Sequence, residues 1–362
     1  MSAINLSSPS SLTDSPWNRS WPANELETVS ACPVCGSTER TVLFDGLKDN
    51  VFFVALGKWI LHSCTQCNSA YLDPRPSRAS IGKAYGSYYT HAVGTGREND
   101  KKLAFFKRLR RMMSNGYLNH RFGTNRFPAS GLGQWVAKLL PSQREILDTE
   151  FRYLPKPTQG QRLLDIGCGN GFFLASAKEA GWQVSGVEPD PVAAAVARDR
   201  GVHVMVGTVD LLADESNCFD VITLSHVIEH VHEPQKLLES VHRLLKPGGV
   251  IYVETPNIES HGAALFKKEW RGLESPRHLV LFNLVSLSEL LFTTGFEAVR
   301  VVRRTGVQHG MYLSSVRMVA GYSPYSSEPA KLSWLTRAKL SFLPVKTARL
   351  EFITVTARKM HS

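Results

Sequence analysis

The sequence predicts an α/β protein, in which a parallel sheet is covered by helices on both faces and is preceded by a small cysteine-rich module. Three observations predict it. Buried strands alternate with helices from about residue 162, a glycine-rich loop follows the first of these strands, and two Cys-x-x-Cys pairs lie near the N-terminus. Alternating strands and helices are typical of a parallel sheet with helices on both faces.

The composition indicates a mainly globular chain. Its 362 residues are 43% hydrophobic and 20% charged, with a net charge of +10. Residues 1–27 are rich in Ser, Pro and Asn and have no apolar periodicity, so we expect a disordered tail. The chain starts without the basic and apolar regions of a signal peptide, and no run of eighteen apolar residues occurs. We therefore expect a cytoplasmic protein without a spanning helix.

The cysteine pairs predict a zinc ribbon over residues 28–75. Two thiolates separated by two residues can bind one ion, and four thiolates complete the tetrahedral coordination of zinc. Such a site leaves no open position, so the ion is expected to stabilise the fold. A redox role would need a single pair beside a helix start, which neither pair offers. The predicted ligands are Cys32, Cys35, Cys64 and Cys67.

Residues 76–155 are predicted to form a helical connector that lines the substrate site. Its aromatic stretch at 85–91 either lines that site or packs between domains. Residues 101–126 contain eight Lys or Arg residues, no acidic residue and interleaved apolar side chains. This pattern fits an anionic membrane surface or a phosphorylated substrate, and equally a solvated helix with its apolar face on the core. No nucleic-acid partner is expected, because no recognised nucleic-acid module accompanies the segment.

The glycine-rich loop is predicted to bind a ligand that carries an amine and a ribose. It reads Gly-x-Gly-x-Gly, and Asp165 stands two residues before its first glycine. An anion at this position repels a pyrophosphate and attracts an amine. Glu188 ends the second strand, where an acidic residue accepts hydrogen bonds from ribose hydroxyls. S-adenosylmethionine (SAM) has both groups and lacks phosphate.

The successive segments LLDIGCGNGFF, GVEPD, FDVITLSHVIEHV, RLLKPGG and SPRHLVLF resemble the motifs of class I SAM-dependent methyltransferases. The resemblance covers about residues 155–305 and implies a Rossmann-like, seven-stranded sheet within a SAM-binding domain at 156–362. With the cysteine module, the chain also resembles zinc-ribbon methyltransferases that act on sugars. Its central motifs are equally similar to those of quinone-pathway O-methyltransferases.

The resemblance implies a methyltransferase whose small-molecule acceptor is a nucleotide- or lipid-linked sugar. A phenolic or quinone precursor is the alternative acceptor, and a non-catalytic binding module is a second alternative. The implied cofactor-binding residues fall into four groups along the chain. The methionine part is assigned to Asp165, Gly167, Cys168, Gly169 and Gly171, the ribose to Glu188 and Pro189, the adenine to Thr208 and Val209, and the reactive methyl to Ser225 and His226.

Two histidines are candidate bases for removing the acceptor's proton, because the ordinary pKa of histidine lies near neutrality. His278 matches the histidine of a Tyr-x-Glu-His group in sugar C-methyltransferases, whose other members this chain lacks. Arg277, beside it, suits a substrate phosphate or carboxylate. His230 ends the stretch HVIEH, which also spells a zinc-peptidase signature. Pro234 is a predicted helix start, which leaves no room for the longer helix of a peptidase.

The same stretch resembles the Glu-x-x-Glu-His group that holds a divalent cation in quinone-pathway enzymes, with His226 at its first position. A catalytic metal, a base and a structural role for His230 therefore all stay open. Residues 296–306 and 350–359 are predicted to be the sixth and seventh strands, the seventh running antiparallel. The insertion between them, at about 307–348, is longer than a hairpin needs and is predicted to form a substrate lid.

Overall fold

The protein is described by a computed structural model that covers residues 15–86, 101–327 and 346–360. The strands of these residues are β1 (Leu26–Glu27), β2 (Arg40–Leu47), β3 (Trp59–Cys64), β4 (Ala70–Leu72), β5 (Arg75–Pro76), β6 (Arg162–Ile166), β7 (Gln183–Glu188), β8 (His203–Val206), β9 (Phe219–Ser225), β10 (Leu245–Pro256), β11 (Val280–Leu281), β12 (Phe296–Val301) and β13 (Phe352–Lys359). The α-helices are α1 (Lys101–Phe122), α2 (Gly133–Leu139), α3 (Pro141–Glu150), α4 (Phe172–Glu179), α5 (Pro191–Asp199), α6 (Pro234–Leu244), α7 (His261–Phe266), α8 (Leu284–Thr293) and α9 (Gln308–Val319).

The large sheet has seven strands in the order β12-β13-β10-β9-β6-β7-β8. Strand β6 runs parallel to both β7 and β9, and β7 runs parallel to β8. Strands β6 and β9 are buried along most of their length, as expected where helices cover both faces. The strand order confirms the predicted class I methyltransferase sheet. It reverses on either side of β6, and ligands of such sheets bind beyond the carboxyl ends of the strands at that point.

The small sheet of the cysteine module contains a strand that the sequence did not indicate. Its order is β11-β4-β3-β2, and β11 belongs to residues 280–281 rather than to the predicted range 28–75. Val280 and Leu281 pair antiparallel with Tyr71 and Ala70. The segment that follows His278 is therefore hydrogen-bonded to the cysteine module.

The predicted disordered tail is folded from residue 15. Two 3₁₀ turns, at Pro16–Asn18 and Ala23–Glu25, precede β1, which pairs antiparallel with β5. Trp17 and Trp21 are buried. The apolar area of the two indole rings explains why a stretch with a polar composition folds. Residues 1–14 of the predicted tail lie outside the described residues.

The chain divides into two compact units. The first contains the described parts of Met1–Tyr88, Ser225–His242 and Val253–Arg358, and therefore the cysteine module and the segments after β9 and β10. The second contains the described parts of Tyr89–Leu224 and Lys359–Ser362, together with Arg243–Tyr252. It holds helices α1 to α5 and the parallel strands β6, β7 and β8.

The predicted helix start at Pro234 agrees with the structure. Helix α6 begins at Pro234, and α8 begins at Leu284, where Asn283 and Ser286 form a reciprocal capping box. Within the predicted insertion, the described residues 307–327 contain α9, whereas residues 328–345 lie outside the described residues. Among the helices described, none is long and apolar enough to cross a bilayer.

Candidate functional site

The glycine-rich loop after β6 has a backbone that only glycine adopts readily. Gly167, Gly169 and Gly171 have φ values of 69°, 53° and 73°, in the left-handed region. The amides of Gly167 and Cys168 donate to the Val187 carbonyl at 2.8 and 3.2 Å, which holds the loop against the end of β7. A ligand can therefore approach this backbone closely at the carboxyl end of the central strand.

Asp165 is fully buried at the end of β6, and its two carboxylate oxygens differ in their hydrogen bonding. Oδ1 accepts hydrogen bonds from the Arg152 guanidinium and from the Thr223 hydroxyl, the latter at 2.8 Å. Oδ2 is buried without a hydrogen-bond partner among the described residues. A buried carboxylate oxygen is normally satisfied, so Oδ2 fits a donor that arrives with a ligand.

Glu188 ends β7 and is also buried. Its carboxylate accepts from the Gly169 amide at 2.8 Å and from the Asp190 amide at 3.0 Å. Burial raises the pKa of Glu188, while these two backbone bonds act in the opposite direction. Each carboxylate oxygen retains a second lone pair for a ribose hydroxyl. The residues around β6 and β7 therefore fit SAM.

The segment after β8 is hydrogen-bonded to the end of β7 and then forms a short turn. The Gly207 amide donates to the Glu188 carbonyl at 3.0 Å, and a 3₁₀ turn follows at Val209–Leu212. Val209 is buried, whereas Thr208 is exposed and donates to Asp210 at 2.8 Å.

Cys168 is the cysteine within the glycine loop. It is buried, and burial raises the pKa of its thiol. A Cβ on Gly186 would lie 2.6 Å from the Cys168 sulfur, so the thiol occupies the space that this glycine leaves. A buried, protonated thiol is a packing group and not a nucleophile.

His226 follows β9 directly and has a φ of 56°. Its side chain lies between two buried carboxylates, with Nδ1 3.3 Å from Glu229 and Nε2 3.2 Å from Glu254. Burial acts to lower the pKa of His226, but the hydrogen bonds to the two carboxylates outweigh it and raise the pKa to about 9. His226 is thus cationic at neutral pH and bridges the carboxylates.

His230 and His278 lie edge to face, with ring centroids 4.6 Å apart. His230 Nδ1 lies 3.1 Å from the Arg277 carbonyl and 2.9 Å from the Tyr85 hydroxyl, and His278 Nδ1 lies 2.8 Å from the Gly272 carbonyl. Because a carbonyl oxygen only accepts, Nδ1 of each ring donates to its carbonyl. In each ring, Nε2 is then the nitrogen that can accept a proton.

The third member of this cluster is Glu229, which is fully buried. One ligand atom each from Glu229, His230 and His278 lies within 4.8 Å of the others. Burial acts to raise the pKa of Glu229, but His226 and the other nearby histidines lower it. Burial and His230 lower the pKa of His278 to about 4. The cluster therefore combines an ionised carboxylate with a neutral His278 imidazole at pH 7.

Arg277 does not have the role that its sequence position suggests. Its side chain is fully buried, and Asp49, Glu274 and the Ala84 carbonyl all accept its hydrogen bonds. The guanidinium also lies over the Phe52 ring, 4.4 Å from its centroid. The prediction that Arg277 binds a substrate phosphate or carboxylate is wrong, because its donors are used within the protein core.

The four cysteines of the ribbon form one cluster. Their sulfurs all lie within 4.8 Å of one another, with Cys32 and Cys67 3.7 Å apart and Cys35 and Cys64 3.5 Å apart. Tetrahedral zinc with bonds of about 2.3 Å places its sulfurs about 3.8 Å apart. The four sulfurs therefore fit a zinc ion.

A protein family described as a methyltransferase domain matches residues 141–301. The match contains the glycine loop, Asp165, Glu188 and the His230–His278 pair. This chain contains a methyltransferase domain at residues 141–301.

The curated relatives of the methyltransferase domain include ubiquinone biosynthesis O-methyltransferases. The one from Xanthomonas oryzae pv. oryzae (strain PXO99A) is 35% identical over 105 residues, which cover 27% of this chain and 44% of the relative. The one from Rhizobium etli (strain CIAT 652) is 31% identical over 165 residues, which cover 42% of this chain and 65% of the relative. The chain thus spans less than two thirds of the length of these relatives.

The chain is also similar to a solved structure from Thermotoga maritima, described as a SAM-dependent methyltransferase and possible histamine N-methyltransferase. The two are 23% identical in sequence, and the match covers 62% of this chain and 98% of the other chain, with a TM-score of 0.39.

The predicted site residues are divided between the two compact units. The second unit holds Asp165, Gly167, Cys168, Gly169, Gly171, Glu188, Pro189, Thr208 and Val209, and the first unit holds Ser225, His226, His230 and His278 together with the cysteine cluster. The structure adds Arg152, Thr223 and Glu254, which the sequence analysis did not single out. Their contacts join residues that are far apart in the chain, and no local motif marks such pairs.

Proposed function

We propose that this protein is a SAM-dependent O-methyltransferase that acts on a phenolic hydroxyl of a small aromatic acceptor. The observation that carries the proposal is the cluster of buried Glu229, half-buried His230 and buried His278, which offers two imidazole nitrogens beside a carboxylate. The names of the relatives support a phenolic acceptor over the sugar that the sequence analysis favoured. An aromatic hydroxyl also needs what this cluster offers, which is removal of a proton as its oxygen attacks.

The donor side of the reaction would use the residues around β6 and β7. SAM supplies a methyl group already activated by its sulfonium. Asp165 Oδ2 would accept a hydrogen bond from the amino group, and Glu188 would accept hydrogen bonds from the ribose hydroxyls. Both carboxylates are held by neighbouring donors, so their orientation is set before a ligand arrives.

The acceptor side would use His230 and His278 as proton acceptors. The backbone carbonyls of Arg277 and Gly272 fix the two Nδ1 protons, so each Nε2 can accept the hydroxyl proton. Glu229, ionised and buried beside them, would stabilise an imidazolium once it forms. Base catalysis of this kind typically contributes about 10²- to 10⁴-fold in rate.

The same three side chains suit a divalent cation. Neutral imidazoles and a carboxylate are common ligands of transition metals. When bound, such an ion would supply Lewis acidity that lowers the pKa of a coordinated hydroxyl. His226 does not join this ligand set as the sequence similarity suggested, since its ring is engaged between Glu229 and Glu254.

The test is a panel of catechols, other phenols and nucleotide sugars incubated with labelled SAM. We expect methylated phenols, and His230→Ala and His278→Ala should each lower kcat/KM about 10²-fold or more while leaving the Kd for S-adenosylhomocysteine unchanged. His203→Ala is the matched control, because His203 is exposed at the start of β8.

Three outcomes would contradict the proposal. Full turnover in both histidine variants would remove the cluster from the mechanism. Methylation of sugars and not of phenols would restore the sugar acceptor. Absence of S-adenosylhomocysteine binding by calorimetry would favour a non-catalytic module. Brief EDTA treatment separates the two proton routes, because only the metal-assisted route loses activity that Mg²⁺ then restores.

The proposed role of the cysteine cluster is to hold a structural zinc ion. The support is the match between the measured sulfur distances and tetrahedral coordination. Metal analysis of the purified protein should find about one zinc per chain. Cys35→Ser should abolish stoichiometric zinc, whereas Cys218→Ser, outside the cluster, should not. Full zinc content in the Cys35 variant would contradict the assignment.

A further inference from the structure

The face built by α1, α2 and α3 exposes large apolar side chains that the proposed chemistry does not use. It is defined here as the α1–α3 face, and its members are Phe105, Phe106, Leu109, Leu132, Trp135 and Leu139. Phe106 is 70% exposed and Leu139 is 79% exposed. Single exposed apolar residues are ordinary, but several on adjoining helices indicate an interaction surface.

The three helices are held together, so these side chains share one region of the second unit. The Ser130 amide donates to the Met112 carbonyl at 3.0 Å, and Arg110 donates to Gln143 at 3.0 Å. A Cβ on Gly133 would lie 2.0 Å from the Met113 carbonyl oxygen, so the absence of a side chain allows α1 and α2 to touch. The face is therefore formed by packed elements and not by a loose loop.

Helix α1 changes character along its length. Tyr117, Leu118 and Phe122 in its second half are buried, whereas all residues from 105 to 111 are exposed. The first half therefore presents Phe105, Phe106 and Leu109 to solvent instead of packing them on the core. The interpretation that the apolar side of the basic segment covers the protein interior therefore holds for the second half of α1 and not for residues 105–111.

The charge of α1, α2 and the start of α3 is of one sign, whereas the rest of α3 carries Glu145, Asp148 and Glu150. Residues 101–144 contain ten Lys or Arg residues and no Asp or Glu. Lys107, Arg108 and Arg111 are exposed on α1, and Lys138 lies over the Trp135 ring at 4.4 Å. Helices that combine exposed aromatic and aliphatic groups with cations bind in the interface of anionic bilayers.

We propose that the α1–α3 face binds the surface of a bilayer that contains anionic phospholipid. The apolar side chains enter the interfacial region, and the surrounding cations pair with the lipid phosphates. Charge complementarity selects this occupant, since the cations of α1 and α2 would repel those of a second copy of the same face. The proposal is independent of the acceptor and of the zinc assignment.

The test is co-sedimentation of the full chain with two kinds of vesicle, phosphatidylcholine alone and phosphatidylcholine with about one third phosphatidylglycerol. Binding should require phosphatidylglycerol and weaken at high salt. The variant Lys107→Gln/Arg108→Gln/Arg111→Gln should lower the partition constant on the order of 100-fold, since each cation contributes about fivefold. Phe105→Ser/Phe106→Ser should lower it about tenfold or more.

The matched control is Phe292→Ser on α8, because Phe292 is 64% exposed and Phe105 is 65% exposed. This control should bind vesicles like the unchanged protein. All variants should keep the Kd for S-adenosylhomocysteine, which shows that they are folded. Equal binding to both vesicle types, or unchanged binding by the Phe105→Ser/Phe106→Ser variant, would overturn the proposal. The proposal would also be overturned if the protein did not bind vesicles and instead formed a dimer, or a complex with single-stranded RNA, that these substitutions abolish.

Discussion

At the scale of single residues, the pair of Arg152 and Asp165 is the feature that most changes the sequence interpretation. The sequence presents Asp165 as an isolated anion waiting for an amine. In the structure the Arg152 guanidinium already binds Oδ1, and only Oδ2 is left for a ligand. Arg152 also lies over the Phe173 ring, 3.8 Å from its centroid. It therefore acts as a positioning residue for the carboxylate.

Replacing Arg152 by Met should be strongly destabilising, because it leaves the fully buried Asp165 carboxylate without a counter-charge. We expect the free energy of unfolding to fall by about 3 kcal/mol or more in urea. Adding Asp165→Asn should recover part of this loss. Arg200→Met, at an exposed position, should stay within about 0.5 kcal/mol of the unchanged protein. A change of similar size in both single variants would argue against the buried pair.

Glu188 gives a second residue-scale prediction. Its carboxylate accepts from two backbone amides, and the amide group of Gln would turn an N–H donor toward one of them. Glu188→Gln should therefore weaken S-adenosylhomocysteine binding by about tenfold or more, measured by calorimetry. Glu215→Gln is the control, because Glu215 is an exposed side chain in the same unit. Unchanged affinity in Glu188→Gln would remove the carboxylate from the ribose site.

At the scale of elements, β11 links the cysteine module to the segment that carries His278. Besides the pairing of β11 with β4, the Leu72 amide donates to the Leu279 carbonyl at 3.1 Å. The side chain of Asn283 donates to the Cys67 carbonyl at 2.7 Å and also caps α8. The module thus holds the strand that immediately follows His278.

Asn283→Ala should cost more stability than the loss of an ordinary helix cap, because Asn283 makes both bonds. We expect about 2 kcal/mol from chemical unfolding, against about 1 kcal/mol for Asp190→Ala, which removes the side-chain cap of α5. Equal losses in the two variants would show that the bond to the Cys67 carbonyl contributes nothing to stability.

At the scale of the whole molecule, the residues proposed to bind zinc and those proposed to bind SAM belong to different compact units. The cysteine cluster and the His230–His278 pair belong to the first unit, and the glycine loop with Asp165 and Glu188 belongs to the second. A ligand stabilises the structure to which it binds. Zinc and S-adenosylhomocysteine are therefore expected to protect different segments.

Hydrogen exchange should reveal this difference. Removing zinc should speed exchange of the amides in β3, β4 and β11, while S-adenosylhomocysteine should slow exchange around residues 165–171 and 188. The two effects should be measured on the same preparation, with strand β8 as a region that zinc removal leaves unchanged. Uniform deprotection of the chain after zinc removal would contradict a local structural role for the ion.

The sequence by itself determined the α/β sheet, the glycine loop, the carboxylates at 165 and 188 and the cysteine pairs. These features depend on local patterns, namely apolar strands, glycines at positive φ and fixed cysteine spacing. It also identified His230 and His278, although not that their rings lie together. Only the tertiary structure decided which of these charged groups are free to act. It paired Arg152 with Asp165, enclosed Arg277 among Asp49 and Glu274, and added β11 to the cysteine module. The physical reason is that such contacts join segments distant in the chain, and burial with a partner is not visible in a local pattern.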